Sequence, residues 1–298
     1  MKKKTHSGKV VDEKEGFSII ECTSCGFKHI DPLLSEQELA EFYKHDFYNK
    51  ERPNYFKETQ EDLAWWMATY GNYYALLEQH TKGRKILDVG SGPGHFLACG
   101  KKRGWDVLGF EPSVEAAKYT KSRKLAVVND LFSYETAKQY APFDVIHASM
   151  VLEHVPDPIS FIEDMKKLLK PGGLIAIFCP NDYNPLQKIL QKKLKFKPWW
   201  VVPTHHLNYF DARSMEKLLT KKGFKVLQTM GTFPMEFFLL SGLNYVGNHE
   251  LGRKCHATRK TFETNMYKYG PDLLNGLYSD LMEKNMGREF FIIAKRKG

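Results

Sequence analysis

The sequence predicts an α/β fold, a mostly parallel sheet with helices on both faces. Three observations carry that expectation. Between residues 85 and 179, short apolar runs alternate with segments of helical periodicity, the rhythm of successive β-α-β units. The first run contains Asp88 and passes into Gly90-Ser-Gly-Pro-Gly94, a turn almost free of side chains just ahead of a helix N-terminus. Glu111 and Asp130 then follow the next two runs, at the carboxyl ends of strands, where open α/β sheets bind ligands.

Taken in order, residues 1–80 read as an N-terminal cap with helices. Cys22-Thr-Ser-Cys25 is a C-x-x-C knuckle, a spacing that offers two thiolates to a metal. Tetrahedral zinc takes four ligands, and only His6, His29 or His45 stand near, so a packed knuckle without metal is the preferred reading and zinc the less favoured one. Ser35-Glu-Gln-Glu38 is a capping box ahead of Leu39, Phe42 and Tyr43 and predicts a short helix. Residues 59–79 place Leu63, Trp66, Met67, Tyr70, Tyr74 and Leu77 at helical spacing. This stripe is expected to dock on the main domain, with a few residues overhanging its pocket.

The core is expected over residues 81–233 and 289–298. Strands are read at 85–89, 106–110, 126–128, 143–148, 174–179, 224–230 and 289–295, and helices at 95–103, 113–123, 134–139, 158–170 and 213–222. Asp157 is the expected N-cap of the helix at 158–170, with Pro158 in its first turn, and Pro171-Gly-Gly173 turns the chain after it. Residues 234–288 carry helical spacing between two adjacent strands. So long an excursion is read as a lid or an oligomer contact.

Composition narrows the function. The net charge of +9 permits nucleic-acid or membrane binding, but the excess is local: residues 184–225 hold ten Lys/Arg against two Asp/Glu. Five unevenly spaced cysteines suggest a reducing, cytoplasmic setting and not a disulfide framework. No apolar run follows Met1-Lys-Lys-Lys4, so no signal peptide is expected. No stretch approaches the ~20 apolar residues of a membrane span. A nicotinamide fingerprint, G-x-G-x-x-G, fails because its third glycine position is His95.

The glycine turn, Glu111 in Gly109-Phe-Glu-Pro112, Asp130 in Asn129-Asp-Leu131, and Phe143-Asp-Val-Ile-His-Ala-Ser-Met-Val-Leu-Glu-His154 together resemble a class I S-adenosylmethionine-dependent methyltransferase of the small-molecule type. The resemblance spans roughly residues 85–233 and the last strand. It implies a Rossmann-like, seven-stranded, mostly parallel sheet whose last strand is antiparallel. It also implies that Gly90, Ser91, Gly92 and Gly94 pass beside the methionine part of S-adenosylmethionine and that Asp88 anchors the loop and the ammonium end. Glu111, followed by Pro112, would bind the ribose hydroxyls, Asp130 and Leu131 would contact adenine, and Ser149 and Met150 would complete the cofactor site. The charges suit the ligand: carboxylates accept charge-assisted hydrogen bonds, and a sulfonium needs no phosphate-binding lysine. The cap resembles the zinc-ribbon-like lead-in of some bacterial methyltransferases, with one cysteine pair where those usually carry two.

For the acceptor, Pro203-Thr-His-His-Leu-Asn-Tyr-Phe210 precedes the helix at 213–222, where related O-methyltransferases carry a loop histidine. Imidazole, with an ordinary pKa near 6.5, suits a base at neutral pH. His205 and His206 are therefore the first candidates for catalysis, with His154 the third, and Glu153, Asn181, Tyr183 and Tyr209 are the expected substrate contacts. The Asn-Pro-Pro-Tyr type motif of amide and nucleobase N-methyltransferases is not found after the fourth strand. The expected acceptor is a small molecule, or one linked to a glycan or lipid. Residues 185–202, a lysine-rich amphipathic segment followed by Trp199-Trp200, suggest a peripheral membrane contact, with an ordinary solvated helix face as the competing reading. No specific nucleic-acid partner is expected. A nucleic-acid or protein methyltransferase and a non-catalytic cofactor-binding protein are the alternatives.

Overall fold

A computed structural model describes residues 6–33, 55–203 and 206–298. The helix expected after Ser35, and His205 in the candidate loop, lie outside the described residues.

The N-terminal part is not all helical. It opens with β1 (Gly8–Lys14), β2 (Phe17–Cys22) and β3 (Lys28–Asp31), joined by tight hairpins. Helices α1 (Tyr55–Glu61) and α2 (Leu63–His80) follow, and α2 matches the aromatic stripe. The core then runs β4 (Lys85–Val89), α3 (His95–Lys102), β5 (Asp106–Phe110), α4 (Val114–Ser122), β6 (Val127–Val128), α5 (Tyr134–Ala137) and β7 (Phe143–Ser149). Next come α6 (Pro158–Leu168), β8 (Leu169–Pro180), α7 (Pro185–Lys192), β9 (Asn208–Tyr209), α8 (Ala212–Lys221) and β10 (Phe224–Gly231). The excursion holds α9 (Glu236–Leu240), α10 (His249–Tyr269) and α11 (Pro271–Glu283), and β11 (Glu289–Arg296) ends the fold.

Seven strands form the main sheet in the order β10-β11-β8-β7-β4-β5-β6, with β4 to β8 parallel and β11 antiparallel to both its neighbours. Alternation along each strand feeds two cores. Ile86, Val145 and Phe291 pack toward Tyr74, Leu77 and Phe96 of α2 and α3. Leu87, Ile146 and Ile292 pack on the opposite side toward Ile162 and Met165 of α6 and Met215 of α8. Burial on both faces explains why these strands read as continuous apolar runs.

The cap expected for α6 is formed. Asp157 accepts from the amides of Ile159 (3.1 Å) and Ser160 (3.0 Å), with Pro158 opening α6. Pro171-Gly-Gly173, expected as a turn, lies inside β8, where the register against β7 slips between Phe143 and Val145. Asp144, at the start of β7, accepts from the amides of Arg84 (3.1 Å) and Lys85 (3.0 Å) and so ties that end of the strand to β4.

Helix α10 packs on α2, and α11 packs on β10. A buried polar network fastens them. Glu263 of α10 accepts from Trp65 Nε1 (2.8 Å), Tyr278 Oη (2.6 Å) and Arg259 Nε (3.1 Å), and Arg259 also reaches Glu289 (3.3 Å). The excursion thereby clamps α2, the helix that overhangs the site, to the sheet.

A second, four-stranded antiparallel sheet has the order β1-β2-β3-β9. Its last strand is contributed by the segment after Pro203, with His29 paired to Asn208 and Lys28 to Tyr209. Ile19, Ile30, Tyr183, Trp200, Val201, Leu207 and Tyr209 form its core. Among the described residues, no helix is long and apolar enough to cross a membrane.

Candidate active site

The sheet order reverses between β4 and β7, the place where an open α/β sheet leaves a crevice at its strand ends. A cavity of about 520 Å³ opens there. Its walls come from α1 and α2 (Tyr55, Thr59, Trp66, Tyr70), the glycine turn, the end of β7 (His147, Ser149, Met150), and His154, Val202 and His206.

The turn keeps its shape through backbone geometry open to glycine. Gly90, Gly92 and Gly94 have φ of 70°, 51° and 71°. A Cβ on Gly90 would stand 2.6 Å from Val151 Cγ2, and one on Gly94 would stand 2.8 Å from Thr120 Cγ2. The amides of Gly90 and Ser91 bond the Phe110 carbonyl at 2.8 and 3.1 Å, which ties the turn to β5.

Glu111 is buried behind this turn. Its carboxylate accepts from the amides of Gly92 (2.7 Å) and Ser113 (2.9 Å). Burial pushes its pKa up to about 7, and those two bonds pull back against the rise. Asp130, by contrast, is exposed and caps the Leu131 amide (2.8 Å), with Leu131 exposed beside it.

Asp88, at the end of β4, meets His147 of β7. His147 Nδ1 lies 2.7 Å from Asp88 Oδ1, and the imidazole stacks on Phe96 at 3.8 Å between centroids. The carboxylate selects the tautomer that donates from Nδ1, which leaves Nε2 as an acceptor. His147 Nε2 and Ser91 Oγ are buried at the cavity without a protein partner among the described residues. His147 is a polar site residue that the sequence reading missed, because inside an apolar strand run it reads as core; Tyr55, Thr59 and Val202 are further wall residues it did not assign.

The other end of the site is built by backbone bonds between two loops. The Glu153 carbonyl accepts from the amides of Leu207 (2.7 Å) and Asn208 (3.0 Å), and Asn208 Nδ2 donates to Leu152 (3.0 Å) and Val155 (2.7 Å) carbonyls. These contacts bring the rings of His154 and His206 to 5.0 Å, edge to face. The Glu153 carboxyl lies underneath, 3.7 Å from His154 Nε2 and wholly buried. Burial raises its pKa to about 8, the nearby Asp182 charge adding to the rise while bonds from its own backbone and the Cys179 thiol oppose it.

The expected substrate contacts are not brought together here. Asn181 is fully buried: its Nδ2 donates to the carbonyls of Asn285 and Gly287 (3.1 Å each), and its Oδ1 accepts from Ala212 N (3.2 Å). Tyr183 and Tyr209 belong to the core of the small sheet, and Tyr209 Oη accepts from Val202 N at 3.1 Å. None of these three lines the cavity, nor do Glu153, Glu111, Pro112, Asp130 or Leu131. Trp200, expected at a membrane boundary, is 2% exposed inside that same core.

The cavity fits a cation with polar ends. Asp88, Trp66, Tyr70 and Phe96 line it, and no lysine or arginine does among the described residues. Its volume is that of a small-molecule pocket.

A family model described as a methyltransferase domain matches residues 72–229. The chain belongs to the class I S-adenosylmethionine-dependent methyltransferases. Among curated relatives, the ubiquinone biosynthesis O-methyltransferase of Haemophilus ducreyi is 33% identical over 166 residues, which cover 49% of this chain and 70% of that protein. The enzyme of the same name from Actinobacillus pleuropneumoniae is 37% identical over 103 residues, 31% of this chain and 44% of that protein. The chain thus spans less than half the length of several curated relatives it matches. Among solved structures, the plantazolicin methyltransferase BpumL in complex with SAH superposes with a TM-score of 0.53 at 16% identity, covering 87% of this chain and 94% of that one. The magnesium protoporphyrin IX methyltransferase ChlM of Synechocystis, with bound SAH, gives 0.53 at 11% identity, covering 88% and 100%. Likeness at this identity is a likeness of fold, and it agrees with the seven-stranded sheet.

Proposed function

We propose that this methyltransferase acts on the hydroxyl of a small-molecule acceptor, with loop histidines taking the hydroxyl proton. The observation that carries the reading is the pairing of His154 and His206 on the cavity that the glycine turn also lines. S-adenosylmethionine, when bound, supplies a methyl group carried on a sulfonium. Asp88, Ser91 and His147 would hold its polar end, with Trp66 and Tyr70 as the aromatic wall nearest its positive charge. Glu111 would take the ribose hydroxyls with the lone pairs its two amide bonds leave, and Asp130 and Leu131 would flank the adenine.

On the acceptor side, His206 would take the proton of the acceptor hydroxyl and so free its oxygen for methylation. His154, edge to face on His206, would set that ring's orientation, with the buried Glu153 carboxyl 3.7 Å from His154 Nε2 behind it. In-line displacement is chiefly a matter of alignment, so holding the acceptor oxygen in place is the larger part of the work. The names of the curated relatives, which specify an O-methyltransferase, support oxygen as the accepting atom.

The test uses the full chain, labelled S-adenosylmethionine and a panel of phenols, catechols, carboxylates and amines. Transfer to hydroxyls is expected, with His206→Ala and His154→Ala lowering kcat while SAH affinity holds; His205→Ala shows whether its neighbour shares the task. Transfer to amines only, or wild-type kcat in the His154→Ala/His206→Ala double variant, refutes the proposal.

A second reading concerns where the acceptor sits. Ile189 and Leu194 are 45% and 52% exposed among Lys188, Lys192, Lys193 and Lys195, which supports contact with an anionic surface and a lipid-linked acceptor. Flotation with anionic vesicles at low salt is expected to carry the protein upward. An unchanged distribution excludes the contact.

A further inference from the structure

The knuckle in the small sheet carries more than its sequence announced. Cys22 ends β2 and Cys25 follows in the hairpin, which is closed by Gly26 N to Cys22 O (3.0 Å) and Cys22 N to Phe27 O (3.2 Å). Folding adds two histidines. His29, on β3, turns into the hairpin, and His6 is brought over it because Thr23 donates to the Ser7 carbonyl from both its amide and its hydroxyl (3.0 Å each). His6 Nδ1 lies 3.1 Å from His29 Nε2, 3.4 Å from Cys25 Sγ and 3.7 Å from Cys22 Sγ. The four donor atoms all lie within 4.8 Å of one another.

We propose that His6, Cys22, Cys25 and His29 form a structural zinc centre that fixes the small sheet to the acceptor loop. Zinc–sulfur bonds of about 2.3 Å and zinc–nitrogen bonds of about 2.0–2.1 Å place the donors of a tetrahedral site roughly 3.3–3.8 Å apart, close to the three distances from His6 Nδ1, and the remaining donor pairs lie within 4.8 Å. The donor set, two thiolates and two imidazoles, is of the closed structural kind. His29 is prepared for it: its Nδ1 faces the Ile30 carbonyl at 2.7 Å, so Nδ1 carries the hydrogen and the Nε2 lone pair points at the cluster. Neither cysteine is in a disulfide.

The centre touches the acceptor side through the backbone. His29 pairs in register with Asn208, two residues past His206, Ile30 N donates to the Leu207 carbonyl at 2.9 Å, and Phe27 packs on Phe210 at 4.8 Å between ring centroids. A metal that holds His29 therefore holds the strand that positions His206. This coupling rests on the acceptor-side role proposed for His206; the metal content does not.

The test measures metal in the full chain, purified under reducing conditions from zinc-supplemented cells, by plasma mass spectrometry. One zinc per chain is expected, kept by His206→Ala and lost from the Cys22→Ser/Cys25→Ser double variant. Cobalt exchanged into the wild-type chain should show the thiolate charge-transfer and visible bands of a tetrahedral S2N2 site, a readout that needs no variant to fold. A chain without zinc that yields no such spectrum overturns the centre, as does a Cys22–Cys25 disulfide in its place. Zinc lost from His206→Ala but kept by the cysteine variant overturns it too, since the metal would then sit by Glu153. Stripping zinc from the wild type should raise the acceptor KM at least several-fold with SAH affinity unchanged. An unchanged KM refutes the coupling.

Discussion

Glu153→Gln isolates the buried carboxyl beneath the histidine pair. The carboxyl is 1% exposed, and burial lifts its pKa from 4.5 to about 8. The folded chain therefore binds this proton more tightly than the unfolded chain does. Stability from this group is full below the unfolded pKa and falls as pH rises toward the folded value, at about 1.4 kcal/mol per pH unit where only the native state is protonated. Over the whole window the loss is on the order of 4–5 kcal/mol. Glutamine keeps the shape and cannot ionise, so the variant lacks this loss. The loop survives the change, because Leu207 and Asn208 bond the backbone carbonyl of residue 153 and not its side chain. Urea denaturation of both chains at pH 5, 6, 7 and 8 is the assay. Glu111, raised to about 7 by burial, adds a similar slope to both chains and cancels in the difference. Asp182, also raised to about 7, feels the Glu153 charge, so its coupling to Glu153 is part of the gap measured. The expected result is near-equal stability at pH 5 and a gap in favour of the variant that widens to several kcal/mol by pH 8. Parallel curves refute the reasoning.

Three further perturbations test other parts of the site. Gly94→Ala forces φ of 71° on a residue whose Cβ meets Thr120, and is expected to cost about 1–3 kcal/mol in a melting experiment and to weaken SAH binding; a wild-type Tm contradicts it. Asn208→Ala leaves the Leu152 and Val155 carbonyls without their amide donor, for about 2–4 kcal/mol, and should raise the acceptor KM more than the SAH Kd. Equal effects on both ligands would remove Asn208 from the acceptor side. Glu263→Ala strips the partner of Trp65, Tyr278 and Arg259 at once, so a loss of about 3–5 kcal/mol is expected by chemical denaturation. A change below about 1 kcal/mol would place that network with weak surface pairs.

The legibility of the chain followed burial. Strands β4, β7 and β8 are covered on both faces, so their apolar runs were visible in the sequence, and the Asp157-Pro158 cap announced the start of α6 to the residue. The small sheet was not visible. β1 is largely exposed and charged, β9 has two residues, and the sheet exists only because segments about 180 residues apart pair. The same separation hid the ligand set around Cys22, since His6 and His29 join it only through the hairpin and the Ser7–Thr23 bonds. The strand-end acids were legible as positions, and their surroundings were not. Glu111 is found bracing the glycine turn, whereas Asp130 stays exposed. Asn181 and Tyr183 looked like substrate contacts because polar residues after a strand often are; here Asn181 satisfies buried backbone and Tyr183 fills a core.

The distribution of charge separates encounter from chemistry. The chain carries +9, yet no lysine or arginine among the described residues lines the cavity, where a cationic donor would meet repulsion. Much of the excess lies instead on α7 and the turn after it, where Lys188, Lys192, Lys193, Lys195 and Lys197 are all exposed. Exposed charges act through a field that salt screens within about 10 Å at 0.1 M, so they can gather an anionic acceptor or surface without touching the reacting atoms. Raising ionic strength should therefore increase the acceptor KM and leave kcat in place. Exchanging Lys192, Lys193 and Lys195 for glutamine should abolish that salt dependence, because the field and not a contact is removed. A kcat that falls with salt, or a KM that rises equally in the glutamine variant, would mean that these lysines do not steer the acceptor.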